Sequence, residues 1–189
     1  MFITINEIID IVIMTFAIGY IFSNFIKKEP EEGYDPLTHY QKNPLWENIK
    51  LGIIVAAPAV VLHELAHKFV AMSFGAEAVL HAPINWYIII IVLQMLRFPL
   101  LFFVGGYVSH TALPYMASAL VSFSGPFINL LLYGIFIGLI KFKIVNRKYY
   151  RTLFVSAKLN LFLFGFNMIP IPGFDGYNLL MSLAKVFGF

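Results

Sequence analysis

Cysteine is absent from the 189 residues, so disulfides and thiolate metal ligands are excluded and any metal must be held by His, Asp or Glu. Charge is scarce too. Asp, Glu, Lys and Arg make up 12% of the chain, against about 25% in an ordinary soluble domain, while 60% is hydrophobic. The long apolar runs exceed what one small core could shelter from water, which makes lipid the implied solvent and a single membrane domain over residues 1–189 the expected organisation. The basic residues cluster near the ends of apolar segments, where they act as topology signals rather than as a nucleic-acid surface, and no nucleic acid is expected as a partner. The first apolar run carries Glu7 and Asp10 at its start with no basic residue before them, unlike a secretory signal, so it is expected to be retained.

Four apolar stretches are long enough to span a bilayer at 1.5 Å per residue: Ile8 to Ile26, Leu51 to Phe74, Ala117 to Ile140 and Thr152 to Ile169. Lys27 and Lys28 mark the exit of the first, and Lys141, Lys143, Arg147, Lys148 and Arg151 close the third. From Lys28 to Lys50 the chain is polar and carries Pro30, Pro36 and Pro44, which predicts an exposed loop. Pro170 to Phe189 predicts a broken segment followed by a short final helix. The expected fold is an all-α polytopic membrane protein of four to five transmembrane helices. Trp86 to Val104 is apolar but carries Arg97 and Pro99, and its periodicity does not separate helix from strand.

The second stretch holds His63, Glu64, His67 and Lys68. His63, Glu64 and His67 spell HELAH, an HExxH pattern whose two histidines lie one helical turn apart, roughly 40° from each other on the helix surface. Two neutral imidazoles so placed hold Zn²⁺, and the neighbouring carboxylate takes a proton from the water the metal activates. Ionisable residues inside a span cost on the order of several kcal/mol unless paired or ligated, so an accidental cluster is disfavoured.

Catalytic zinc usually has three protein ligands. Glu7, Asp10, His81, His110 and Asp175 are the candidates for the third. Asp175 stands out because it follows a span in NMIPIPGFDG, where Pro170 and Pro172 end regular helix. Unwound backbone of this kind is tolerated where it lines a polar cavity, yet taken alone the same residue reads more readily as a solvated aspartate at an interfacial turn than as a ligand. His81 and His110 read as interface residues, Lys158 as a snorkelling cation, and Asn129 and Asn160 as amides bonding between helices.

HELAH together with Asn167, Pro170, Asp175 and Gly176 resembles the site-2 protease family of intramembrane metalloproteases, which combines HExxH with a later N-x-x-P-x-x-x-x-D-G element. SGPFIN, Ser124 to Asn129, is similar to that family's GPxxN element, with Gly125 permitting close helix packing. GGYV, Gly105 to Val108, resembles its extended segment beside the active site. These elements cover a core of about residues 51–176. The resemblance implies Asp175 as third zinc ligand and Asn167 as a group holding the substrate carbonyl or its oxyanion. It also implies substrate contacts at Asn129 and along Gly105, Gly106 and Tyr107, where the substrate would add as a strand. Glu64 is then the general base, and the substrates are membrane-anchored proteins cut in a cell membrane.

If HELAH lies in the C-terminal half of its span, the start of the next core span and the end of the Asn167 span must reach the same side. A full crossing by Trp86 to Val104 would break that parity, so a re-entrant, surface or short β segment is expected between Gly75 and Pro114, turning near Arg97 and Pro99. The stretches Lys27 to Lys50 and Lys141 to Arg151 share the opposite side and hold nine of the 13 Lys and Arg. Positive-inside counting makes that side cytoplasmic, whereas the resemblance implies zinc nearer the cytosolic face. The competing function is a catalytically silent metal-binding scaffold or a transporter. A transporter would need several polar spans or internal repeats, which the sequence lacks, and a silent relative would typically have lost the acid that Glu64 supplies.

Overall fold

A threonine opens the first helix. Thr4 Oγ1 accepts from the Glu7 N–H at 3.3 Å and Glu7 Oε2 accepts from the Thr4 N–H at 2.8 Å, a reciprocal capping box that satisfies two donors at the helix start. In this computed structural model, which describes residues 3–26, 44–97 and 105–189, that helix is α1 (Ile5–Ser23). It is followed by α2 (Pro44–Ser73), β1 (Ala78–His81), α3 (Ile84–Met95), β2 (Tyr107–His110) and α4 (Tyr115–Lys141). A short 3₁₀ turn (Arg147–Tyr149), α5 (Tyr150–Asn167) and α6 (Asp175–Val186) complete the order.

α1, α4 and residues 45–73 of α2 are the three helices among the described residues that are long and apolar enough to cross a membrane. Four to five were expected. α5 sits where the fourth was placed, but its 18 residues include Arg151, Lys158, Asn160 and Asn167. The chain is thus an all-α membrane protein with, among the described residues, one two-stranded sheet. The outward faces of its helices carry Phe16, Ile54, Leu131, Ile135 and Phe162, an exposed apolar surface that suits lipid rather than water.

α2 begins earlier than its apolar run. Residues 44–50, expected as the end of a loop, form its first turns. Proline belongs at such a start, since its fixed φ suits the first helical turn and its missing N–H has no partner there in any case. Glu47 and Lys50 then pair at 3.1 Å on one face, with Lys50 Nζ 5.5 Å from the Trp46 ring centre. Lys27, Lys28 and the rest of the polar stretch to residue 43 lie outside the described residues.

The core forms where α1 crosses α2. Met14, Ile18, Ile21 and Phe22 pack on Ala56, Ala57, Ala59 and Val60, small side chains that let the helices approach closely, and Leu80, Tyr87 and Leu163 close the cluster. α4 lies against α2, α5 and α6. Polar contacts put the start of α1 and the start of α4 beside the C-terminal half of α2, through Glu7 to Lys68 and Val121 to His67. HELAH therefore shares one end of the bundle with the start of α4 and the end of α5, as the parity of the spans requires.

The middle region returns to that same end. β1 and β2 pair antiparallel, with Ala78 opposite His110 and His81 opposite Tyr107, so the chain enters and leaves the intervening stretch side by side. α3 has 12 residues, about 18 Å and too short to span. It runs along α1 until Gln94 Nε2 donates to the Ile21 carbonyl at 2.9 Å and Gln94 Oε1 accepts from Asn24 at 3.3 Å. Arg97 then takes a left-handed φ of 58° and ends the helical course. Pro99, the other residue of the expected turn, lies outside the described residues. The strand expected at Gly105 to Val108 forms at Tyr107–His110, with the two glycines leading into it.

Candidate metal centre

His63 and His67 project from one face of α2 toward α4 and α6, where Asp175 meets them. His63 Nε2 lies 3.0 Å from Asp175 Oδ2, His67 Nε2 lies 3.3 Å from the same oxygen, and the two Nε2 atoms are 3.1 Å apart. Four-coordinate zinc with bonds of about 2.0–2.1 Å separates its donors by roughly 3.3–3.4 Å, so the three atoms form nearly one face of a tetrahedron. Among the described residues this is the one His, Asp or Glu group whose ligand atoms gather within 4.8 Å.

The remaining ring nitrogens fix the tautomers. His63 Nδ1–H donates to Asn129 Oδ1 at 2.6 Å, and His67 Nδ1–H donates to the Val121 carbonyl at 2.7 Å. Asn129 must present its oxygen to His63, because its Nδ2 donates to the Ala59 carbonyl and to Asn160 Oδ1, both at 2.9 Å. Asn160 in turn donates to the Ser156 carbonyl at 2.8 Å. Both imidazoles are thereby held with Nε2 lone pairs converging on the carboxylate, the outer-shell pattern of metal-ligating histidine. Lone pairs that close repel unless a cation lies among them, and the donor set of two imidazoles and one carboxylate suits zinc.

Room for an ion is kept by Gly125 on α4. A Cβ there would run into the Nε2 atoms of both histidines. Asp175 arrives by a similar constraint: it is the first residue of α6, after Gly173 turns the chain through a φ of 97°, and Gly176 packs on the Met168 backbone, where a Cβ would stand 2.8 Å from Met168 Cα. The packing of α6 on α4 then delivers the carboxylate to the histidines.

A cavity of about 710 Å³ opens beside the three ligands. Glu64, Asn167, Gly105, Gly106 and Tyr107 all line it. Glu64 is buried, and Gly106 lies so close that a Cβ would meet Glu64 Cγ at 3.0 Å. Asn129 does not line the cavity but stands behind His63, fully buried, bonding between helices. Of the other candidate ligands, Glu7 is engaged by Lys68, His81 Nε2 pairs with Ser109 Oγ at 2.9 Å, and His110 reaches the cavity wall with Nδ1 2.9 Å from the Thr111 carbonyl. Neither these nor Asp10 joins the cluster.

Sequence reasoning missed several contributors. The Val121 carbonyl that orients His67 has no side-chain signature at all. Ser122, Phe166, Phe174 and Asn178 line the cavity from positions that read as ordinary helix or turn. Tyr87, whose hydroxyl donates to the Gly105 carbonyl at 3.1 Å, sits in an apolar run that offered no pointer to the site. The Glu7 and Lys68 pair was signalled only by the general rule that charges within membrane segments find one another.

Two proteins of Methanocaldococcus jannaschii are similar to this chain. One, provisionally named zinc metalloprotease MJ0611, is 31% identical over 180 residues, covering 93% of this chain and 83% of that protein. The other, named zinc metalloprotease MJ0392, is 28% identical over 134 residues, covering 69% of this chain. The chain spans about a third, 34%, of that second relative's length. No family model matches the chain. No solved structure matches it either. With both relatives named for zinc and a fitting His, His and Asp cluster in place, the cofactor is Zn²⁺.

Proposed function

The chain belongs to the zinc metalloprotease family that these two Methanocaldococcus jannaschii proteins represent, and from that premise we propose that it is an intramembrane protease of the site-2 type. It crosses the cell membrane several times and hydrolyses peptide bonds of membrane-anchored proteins. One observation carries this reading: His63, Glu64 and His67 are buried on a helix apolar enough to span a bilayer, with Asp175 half-buried against them, at a cavity that also receives a strand edge. β2 has a strand partner on one side only among the described residues, and Tyr107 and Val108 line the cavity.

His63, His67 and Asp175 would hold zinc, which would supply Lewis acidity for activating water and polarising a carbonyl. The protein's own groups do the rest. Glu64, one residue from His63, accepts the proton of the attacking water and returns it to the leaving amine. Asn167, at the end of α5 on the cavity wall, supports the developing oxyanion. A helical substrate must unwind before its amide is accessible, and the open side of β2, with Gly105 and Gly106 leading into it, accepts the extended segment through main-chain hydrogen bonds.

Glu64→Gln tests the assignment. Zinc content should stay at the native level, because Glu64 is no ligand, while cleavage of a model transmembrane substrate falls by a factor of about 10² to 10⁴. Cleavage at the native rate would end the role of Glu64, and a native chain that cuts no transmembrane substrate would end the proteolytic reading.

A further inference from the structure

Lys68 follows the ligand His67 directly, and both it and its partner Glu7 are almost completely buried. A buried ion pair of this kind adds little net stability, since desolvation offsets most of the attraction, so its meaning lies in what it aligns. Glu7 collects four donors. Its Oε1 accepts from Lys68 Nζ and, at 2.9 Å, from the backbone N–H of Leu80; its Oε2 accepts from the Thr4 N–H at 2.8 Å and Thr4 Oγ1 at 3.1 Å. Leu80 belongs to β1 and pairs with Val108 of β2, which lines the cavity. One carboxylate thus joins the start of α1, the metal-bearing turn of α2 and the sheet whose edge borders the metal ligands.

The geometry points to Glu7 and Lys68 as positioning residues that set the distance between the β2 edge and the metal ligands, and so govern how substrate is seated. This rests on the proteolytic reading for its kinetic consequence alone. Lys68 faces α1 while His63 and His67 face α4, so the pair braces the sheet without touching the metal. The ladder itself has only four residues in each strand, too few to hold its place unaided.

Three variants of the full chain in detergent or vesicles test the inference. Glu7→Leu combined with Lys68→Met removes the tether while filling the space with apolar groups. Glu7→Gln combined with Lys68→Met removes both charges but keeps an oxygen for Leu80. Glu7→Asp keeps the charges and shortens the reach. The first should speed hydrogen exchange of the Leu80 and Val108 amides by about tenfold. It should also raise KM for a model transmembrane substrate by about tenfold, with kcat within about threefold. The spectrum of bound cobalt(II), used as a probe of the His63, His67 and Asp175 cluster, should not change. The second variant, which loses the Lys68 bond but keeps an oxygen for Leu80, should fall between the native chain and the first variant in exchange and KM. The third should move both in the same direction as the first, by less; a second variant native in both would remove Lys68 from the inference. Native exchange and KM in the first variant would overturn the inference, and so would loss of the cobalt spectrum, which would make the pair a support of the metal ligands instead. Should the first variant not fold, native exchange of Leu80 in Glu7→Asp would overturn it equally. A native chain that cleaves nothing would remove the proteolytic reading and leave the exchange and cobalt results to decide.

Discussion

His63 Nδ1 and Asn129 Oδ1 stand 2.6 Å apart, joining the first metal ligand to a residue of the neighbouring helix that has no contact with the cavity. Because Asn129 also bonds Ala59 and Asn160, the orientation of the His63 ring is set by three helices at once. Asn129→Ala should lower zinc affinity about 10–100-fold, the usual cost of losing an outer-shell partner. Competition against a chromogenic zinc chelator measures it. Unchanged affinity would show that ring packing alone orients His63.

Gly125→Ala should displace zinc outright. The added methyl would collide with both Nε2 atoms, and neither imidazole can withdraw while its Nδ1–H is held by Asn129 or Val121. The expected result is a chain with native helix content by circular dichroism and little bound metal by elemental analysis. Full zinc occupancy would mean that α4 shifts to make room.

Asp175→Ala removes a donor from the cluster itself and should weaken zinc by more than about 100-fold, exceeding the effect of Asn129→Ala. Stripping zinc from the native chain with a strong chelator should abolish cleavage, and adding zinc back should restore it. Asp175→Ala should regain no activity under the same treatment. An Asp175 variant with native zinc affinity would place the third ligand elsewhere.

Tyr87→Phe deletes the hydroxyl that donates to the Gly105 carbonyl at the approach to β2. The lost bond should cost about 1 kcal/mol in stability. Its kinetic effect should fall on KM, raised several-fold with kcat nearly native, because the hydroxyl bonds the strand approach and none of the metal ligands. A drop in kcat with constant KM would contradict this.

What could be read in the sequence was whatever depends on spacing along one element. HELAH shows itself because two imidazoles a turn apart are a property of any helix, and the broken string from Asn167 to Gly176 because prolines and glycines act locally. The choice of third ligand needed distances between helices: from residues alone Glu7 and Asp175 were both acids near spans, and only the fold shows Glu7 spent on Lys68 and Asp175 set against the histidines. The start of α2 at Pro44 was missed because proline signals a loop and a helical first turn alike. The strand was misplaced by two residues because its ladder is dictated by Ala78–His81 across from it, not by the glycines that precede it.

The clasp between His81 and Tyr107 has a topological consequence. A peptide whose two ends are fastened together can be lengthened, trimmed or exchanged for another without inverting anything downstream. An insertion after Arg97, at the far end of that segment, should therefore leave Tyr87, Gly105 and Gly106 in place and the courses of α4, α5 and α6 unaltered, so that the space beside His63, His67 and Asp175 keeps its shape.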